Sequence, residues 1–151
     1  MAGEVRHLFI APRKGLPMAA RAYVEAVEGA GLEGDRYAEP VSRGEAGRRE
    51  VTLIEMERVE DFNREFGLAL KPGGPRRNIV TSGVRLNDLV GRRFSVGEAT
   101  LEGMELCEPC GKFARHTYPQ VLRAFRGKGG LRARIVAGGG IRVGDAIVAA
   151  P

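Results

Sequence analysis

Phe94-Ser95-Val96-Gly97-Glu98-Ala99-Thr100-Leu101 is echoed near the end of the chain by Ile141-Arg142-Val143-Gly144-Asp145-Ala146-Ile147-Val148. Both stretches run apolar-x-Val-Gly-acid-Ala-β-former-apolar. A glycine followed by an acid between two β-prone pieces makes a tight corner. Glycine tolerates positive φ, and the carboxylate bonds back to the turn. Two such corners indicate short strands wrapped into a small barrel. The pattern occurs no further times, which excludes a solenoid.

Outward from these corners, Val5 to Ala11, Tyr23 to Val27, Glu50 to Ile54 and Arg77 to Thr81 read as strands. The clearest helix runs from Glu55 to Phe66. There Met56, Val59, Phe62 and Phe66 recur at helical spacing, and Gly67 supplies a stop. Pro72-Gly73-Gly74-Pro75 is a turn cluster. Asn87 to Val90 fits a single helical turn. A second main helix is expected from about Tyr118 to Phe125, with Val121, Leu122 and Phe125 on one face. Strand and helix do not alternate throughout, so a doubly wound α/β fold is excluded. The expectation is a mainly β barrel with about two main helices, forming a single domain over residues 1–151.

No stretch approaches the roughly 18 uncharged apolar residues of a membrane helix. Glu4, Arg6 and His7 interrupt any signal-peptide core. A cytoplasmic protein without membrane attachment is expected. The formal net charge of +5 suits an anionic small-molecule ligand or nucleic acid, or simply a charged surface with interleaved acids. Six Phe, three Tyr and no Trp leave few platforms for base stacking, so nucleic acid is not the expected partner.

The chemistry is expected at Cys107-Glu108-Pro109-Cys110, which holds the chain's two cysteines. In a reducing compartment such a pair is more often catalytic, redox-active or metal-binding than a structural disulfide. A structural zinc site needs four ligands, and here both cysteines, His7 and His116 must all converge. A thioredoxin-type dithiol opens a helix early in a βαβ unit, whereas this pair lies late. Two inert buried thiols are a third alternative. The favoured reading is a working thiolate at Cys110, with Cys107 auxiliary. Lys112, Arg115 and His116 follow Cys110 closely, and cations favour the thiolate. Pro109 blocks strand pairing just before Cys110 and lifts it onto a loop.

Two further segments invite a ligand. Pro75-Arg76-Arg77-Asn78-Ile79-Val80-Thr81-Ser82-Gly83 brings Arg forks and turn amides that suit phosphate. The alternative is a solvated start to a strand. Gly31-Leu32-Glu33-Gly34-Asp35-Arg36 is a tight loop matching neither a dinucleotide fingerprint nor a Walker loop. Its Asp–Arg pair also reads as a structural brace. Gly138-Gly139-Gly140 marks a turn or a close backbone approach.

In order and spacing these segments resemble a MOSC domain, the module named after the C-terminal domain of molybdenum-cofactor sulfurase. The series comprises Pro12-Arg13-Lys14-Gly15-Leu16-Pro17, Gly31 to Arg36, Glu50 to Ile54, and Arg76 to Val80 with Ser82-Gly83. Leu86, Leu89, Gly91, Phe94, Val96-Gly97, the cysteine pair and Gly140 to Asp145 complete it. The resemblance implies a β-rich barrel with a few helices. It implies that the later cysteine, here Cys110, carries sulfur as a persulfide or ligates molybdenum in a bound pterin cofactor, with no zinc. Arg76 and Asn78 would face the cofactor's phosphate or pterin. Lys112 and Arg115 would position the anionic ligand, and Asp35 with Arg36 would brace the adjoining loop. The enzymatic variant implied is a molybdenum-dependent reductase of N-hydroxylated compounds, served by a separate electron-donor protein. The carrier variant takes sulfur from a donor protein. Arg77 stands where many members have Pro, and the attached electron-donor domain of the family's reductases is not expected within residues 1–151.

Overall fold

The computed structural model describes residues 3–13, 15, 17–38 and 50–151. Lys14 and Leu16 of the Pro12–Pro17 motif lie outside them. In chain order the strands are β1 (Gly3–Ile10), β2 (Ala19–Arg21), β3 (Tyr23–Val27), β4 (Gly31–Leu32), β5 (Val51–Glu55), β6 (Ile79–Ser82), β7 (Arg93–Val96), β8 (Ala99–Leu106), β9 (Leu131–Ala137), β10 (Gly139–Arg142) and β11 (Ala146–Ala149). The helices are α1 (Met56–Phe66), α2 (Gly111–His116) and α3 (Val121–Ala124).

Seven strands close into a barrel in the order β11-β7-β8-β9-β5-β6-β1, with β1 returning to β11. Strand β2 extends the wall beyond β1, and β10-β3-β4 form a separate small sheet. Neighbours in the barrel are antiparallel except β5 and β6. That parallel pair needs a crossover, and α1 supplies it.

The two echoed corners behave differently. Gly97 (φ 56°) turns β7 into β8 as a hairpin, whereas Gly144 (φ 95°) carries the chain from β10 in the small sheet to β11 in the barrel. The corners pack on one another. Gly97 N donates to Ala146 O (3.1 Å), and Glu98 N donates to Gly140 O (3.0 Å). Asp145 Oδ2 accepts the Arg142 N–H (2.7 Å), as the acid of such a corner should. A side chain at position 97 would run into the Asp145 carboxylate, so glycine is required there for space as well as for φ.

Two apolar clusters result. The barrel interior is aliphatic, with Val5, Leu8, Leu53, Ile79, Leu101, Leu131 and Ile135 around Phe94. Outside the β5–β6 wall, Ile54 and Val80 meet Val59, Phe62, Phe113, Val121 and Phe125 from the three helices. This explains why all five residues of β5 are buried: Leu53 faces the barrel cluster and Ile54 the helical one.

Helix α1 follows its sequence signal, and Gly67 ends it in the left-handed region (φ 63°). The single turn expected at Asn87–Val90 is a 3-10 turn over Leu86–Leu89. The expected second helix shrinks to the four residues of α3. Thr117 (φ −133°, ψ −100°) leaves helical geometry, and the next helix forms only at Val121, two residues after Pro119. Helix α2, which starts immediately after Cys110, is an element the periodicity did not announce. Among the described residues no helix is long and apolar enough to cross a membrane.

Candidate functional site

Strand β8 ends at Leu106, and the cysteine loop leaves the barrel there. A second loop, Gly127 to Gly130, clasps it. Cys107 N donates to Gly130 O (2.7 Å), and Gly127 N donates to the Glu108 carboxylate (2.9 Å). Asn87 Nδ2 holds Gly127 O from the other side (2.9 Å). Gly129 lies so close to the Cys107 carbonyl and Pro109 N that a Cβ there would collide with them. Cys107 is buried by this clasp, and Cys110 is exposed.

Cys110 has extended backbone (φ −128°, ψ 170°) and immediately precedes α2. Its thiol makes no capping hydrogen bond. Partial burial of the sulfur opposes ionisation. The backbone N–H groups of Phe113 and Lys112 and the charges of Arg77 and Lys112 act the other way, and together they lower the thiol pKa. First-turn N–H groups and nearby cations favour the thiolate by the same electrostatics.

Arg77, just before β6, acts on this thiol through its charge. It is buried, its Nε donating to Gly129 O (2.9 Å) and its Nη1 to Pro75 O (3.0 Å). Arg77 therefore ties the Pro72–Pro75 turn to the clasp that shapes the cysteine loop. Sequence proximity had pointed to Lys112 and Arg115; this cation comes from far upstream. Arg76, partly buried, adopts φ 62°, the only non-glycine positive φ among the described residues. Left-handed backbone costs a non-glycine residue roughly 1–2 kcal/mol, and such strain clusters at functional positions.

The other expected site residues divide clearly. Lys112 is half-buried beside Cys110, and Arg115 is exposed with its Nη1 3.1 Å from the position a Gly111 Cβ would take. Asn78 is buried, and its side chain serves the frame. Its Oδ1 accepts Thr52 N (3.0 Å) and Thr52 Oγ1 (3.1 Å), and its Nδ2 donates to Phe9 O (3.1 Å). Asp35 is fully buried and accepts the Ala11 N–H through Oδ1 (2.8 Å). Arg36 N donates to Ala11 O (2.8 Å), and Arg36 Nη1 lies 3.9 Å from Met18 Sδ. Asn78 and Asp35–Arg36 thus hold the end of β1 from two sides.

Among the described residues no three His, Cys, Asp or Glu side chains converge on a common metal position. The zinc set of Cys107, Cys110, His7 and His116 is therefore not assembled. A lone exposed thiol suits a metal already chelated by an organic cofactor, for which the protein adds one soft donor.

A family model for the MOSC domain matches residues 33–148. Among solved structures, the YuaD protein from Bacillus subtilis has a TM-score of 0.79 at 21% identity, covering 97% of this chain and 94% of that one. YiiM from Geobacillus stearothermophilus has a TM-score of 0.77 at 16% identity, covering 99% and 75%. YiiM from Escherichia coli has a TM-score of 0.68 at 21% identity, covering 100% and 70%. At such identities the likeness is one of fold. No curated protein sequence matches the chain.

Proposed function

The chain belongs to the MOSC domain family, and on that premise we propose that it handles sulfur or the molybdenum cofactor through the thiolate of Cys110. One observation carries this reading: the sulfur is exposed, yet its pKa is lowered by the amides of α2 and by Arg77 and Lys112. An accessible thiol with a lowered pKa yields its thiolate more readily, and the thiolate is both a nucleophile and a soft-metal ligand. The setting is a reducing cytoplasm, where Cys110 stays available as a thiol.

For the cofactor, Cys110 contributes the protein's sulfur ligand, and Arg76, Lys112 and Arg115 contribute cations for its phosphate. Asn78, Asp35 and Arg36 act at one remove by fixing the end of β1. Molybdenum held there supplies two-electron redox chemistry, the basis of the reductase variant with N-hydroxylated substrates and a separate electron donor.

The sulfur reading is favoured by the exposure of Cys110, which lets another protein's sulfur reach it. Its thiolate attacks the terminal sulfur of a donor persulfide, R–S–SH. A new S–S bond forms at Cys110 and the donor's S–S bond breaks. The donor leaves as R–S⁻ with the electron pair of that bond, and the proton stays on the transferred sulfur. No external oxidant is consumed.

The test is anaerobic purification from cells with and without cofactor synthesis, followed by intact mass and molybdenum analysis of wild type and Cys110→Ala. Stoichiometric molybdenum with pterin, lost in Cys110→Ala, supports cofactor binding. A mass gain of one sulfur atom on Cys110 after exposure to a persulfide donor supports sulfur carriage. Neither outcome, in folded protein, overturns the proposal.

A further inference from the structure

Charge is distributed unevenly around Cys110. Between Glu108 and Asp145 the chain contains eight Lys and Arg and no Asp or Glu, a segregation that the overall balance conceals. The fold neutralises part of this run. On β9, Arg132 pairs with Glu105 (3.4 Å) and Arg134 with Glu102 (2.7 Å). Lys128 shares a shallow cleft with Asp61 and Glu65 of α1. Arg115, Arg123 and Arg126 are exposed, and among the described residues no salt bridge joins them to an acid. Leu122, also on α3, is 44% exposed, a large apolar side chain among these cations.

Arg115 lies on α2, which begins immediately after Cys110, and Leu122, Arg123 and Arg126 lie on α3 or just beyond it. Helix α2 is locked to the C-terminal end of α3 through Phe113 and Phe125, whose ring centroids lie 5.4 Å apart. Gly127, next to Arg126, is bonded to Glu108 in the cysteine loop. Transfer of sulfur between two proteins demands contact between two sulfur atoms, so whatever loads Cys110 must cover its immediate surroundings.

We propose that the α2–α3 face bearing Arg115, Leu122, Arg123 and Arg126 is the docking surface for a sulfur-donor protein whose reactive persulfide sits in an acidic surface with an apolar contact point. This rests on the sulfur reading of Cys110. The charges steer the donor by its sign, raising the rate of productive encounter. Leu122 supplies the desolvated contact that a purely ionic encounter lacks.

Two peptides with a single cysteine persulfide, one flanked by glutamates and one by lysines, test this. An uncharged cysteine-amide persulfide serves as reference. Rates of loading of Cys110 are read by intact mass and normalised to those with a small thiol acceptor. At about 0.02 M salt the acidic peptide loads Cys110 roughly tenfold faster than the basic one, and the gap closes at about 0.5 M. The double variant Arg123→Glu/Arg126→Glu reverses the order, Arg123→Gln/Arg126→Gln narrows the gap, and the reference donor loads all three proteins alike. Equal rates for the two peptides, or a preference that survives both double variants, overturns the proposal. Failure of the reference donor to load wild type sinks the sulfur reading instead. Titration with serine analogues of both peptides, which cannot transfer sulfur, then still measures the surface by itself. Tighter binding of single-stranded RNA than of the acidic serine peptide overturns the donor assignment, as does self-association that the double charge reversal abolishes.

Discussion

The barrel interior and the helical layer share one wall, β5–β6, yet are built on different physics. Inside, the core is almost wholly aliphatic and is enclosed by a continuous ring of backbone hydrogen bonds. Outside, three short helices rest on aromatic rings. Phe62 lies 5.0 Å from Phe66, 5.3 Å from Phe125 and 6.3 Å from Tyr118, centroid to centroid. Helices of six and four residues have no stability of their own, so α2 and α3 exist because these rings bury one another. The barrel is thus a self-supporting frame. The position of Cys110 depends on a packing arrangement outside it.

The sharpest way to break this contrast is a matched pair of core truncations. Phe125→Ala is expected to cost about 3–5 kcal/mol in chemical denaturation, and to slow alkylation of Cys110 at pH 7 as α2 loses its seat. Leu101→Ala in the barrel is expected to cost about 2–5 kcal/mol while leaving the alkylation rate of the folded protein unchanged. Equal alkylation in the two variants would dissolve the distinction. Asn78→Ala comes next. It removes three hydrogen bonds joining β1, β5 and β6, and a loss of about 1–3 kcal/mol is expected from the polar groups left unsatisfied.

Arg77 sharpens the comparison without breaking it, because it lies where frame and layer meet. Arg77→Gln removes a charge that favours the Cys110 thiolate. The midpoint of the alkylation–pH profile, which in wild type lies below the ordinary thiol value of 9.0, is expected to move upward. An unmoved midpoint would assign the lowering to the α2 amides alone. The smallest effect is expected at Glu55, the last residue of β5. Burial raises its pKa, opposed by Arg58 and by the Leu86 N–H, and Glu57 pushes it up further. The folded state holds this proton more tightly than the unfolded chain, so its contribution to stability falls as pH rises from the ordinary carboxyl value of 4.5 towards the raised one. Glu55→Gln is expected to flatten that part of the stability–pH profile, checked by urea midpoints across the range.

The same contrast governs what was legible in the sequence. Helix α1 and β3 carry clean periodicity, so their residues announce them. Strand β5 is covered on both faces and shows no alternation, so only its β-formers mark it. Helix α2 opens with glycine and lacks a side-chain cap, and its reason for being is Phe125, twelve positions beyond Phe113. The paired glycine corners were readable as corners. The Gly97 corner closes a local β7–β8 hairpin, whereas the sheet that the Gly144 corner enters was decided by partners distant in sequence, β1 and β7. At the site, Lys112 is visible by adjacency to Cys110. The contribution of Arg77 required knowing that β6 and the Gly127–Gly130 loop meet.

The first and last barrel strands hold each other, Gly3 opposite Ile147 and Glu4 opposite Ala146. During synthesis, therefore, the seam cannot zip until residues 146–149 have left the ribosome. Until then β1 and β7 each present a bare strand edge, open to unwanted pairing with other chains. Synthesis stalled just before Ala146 should leave the nascent chain dependent on chaperones, although every residue of the cysteine loop has already been made.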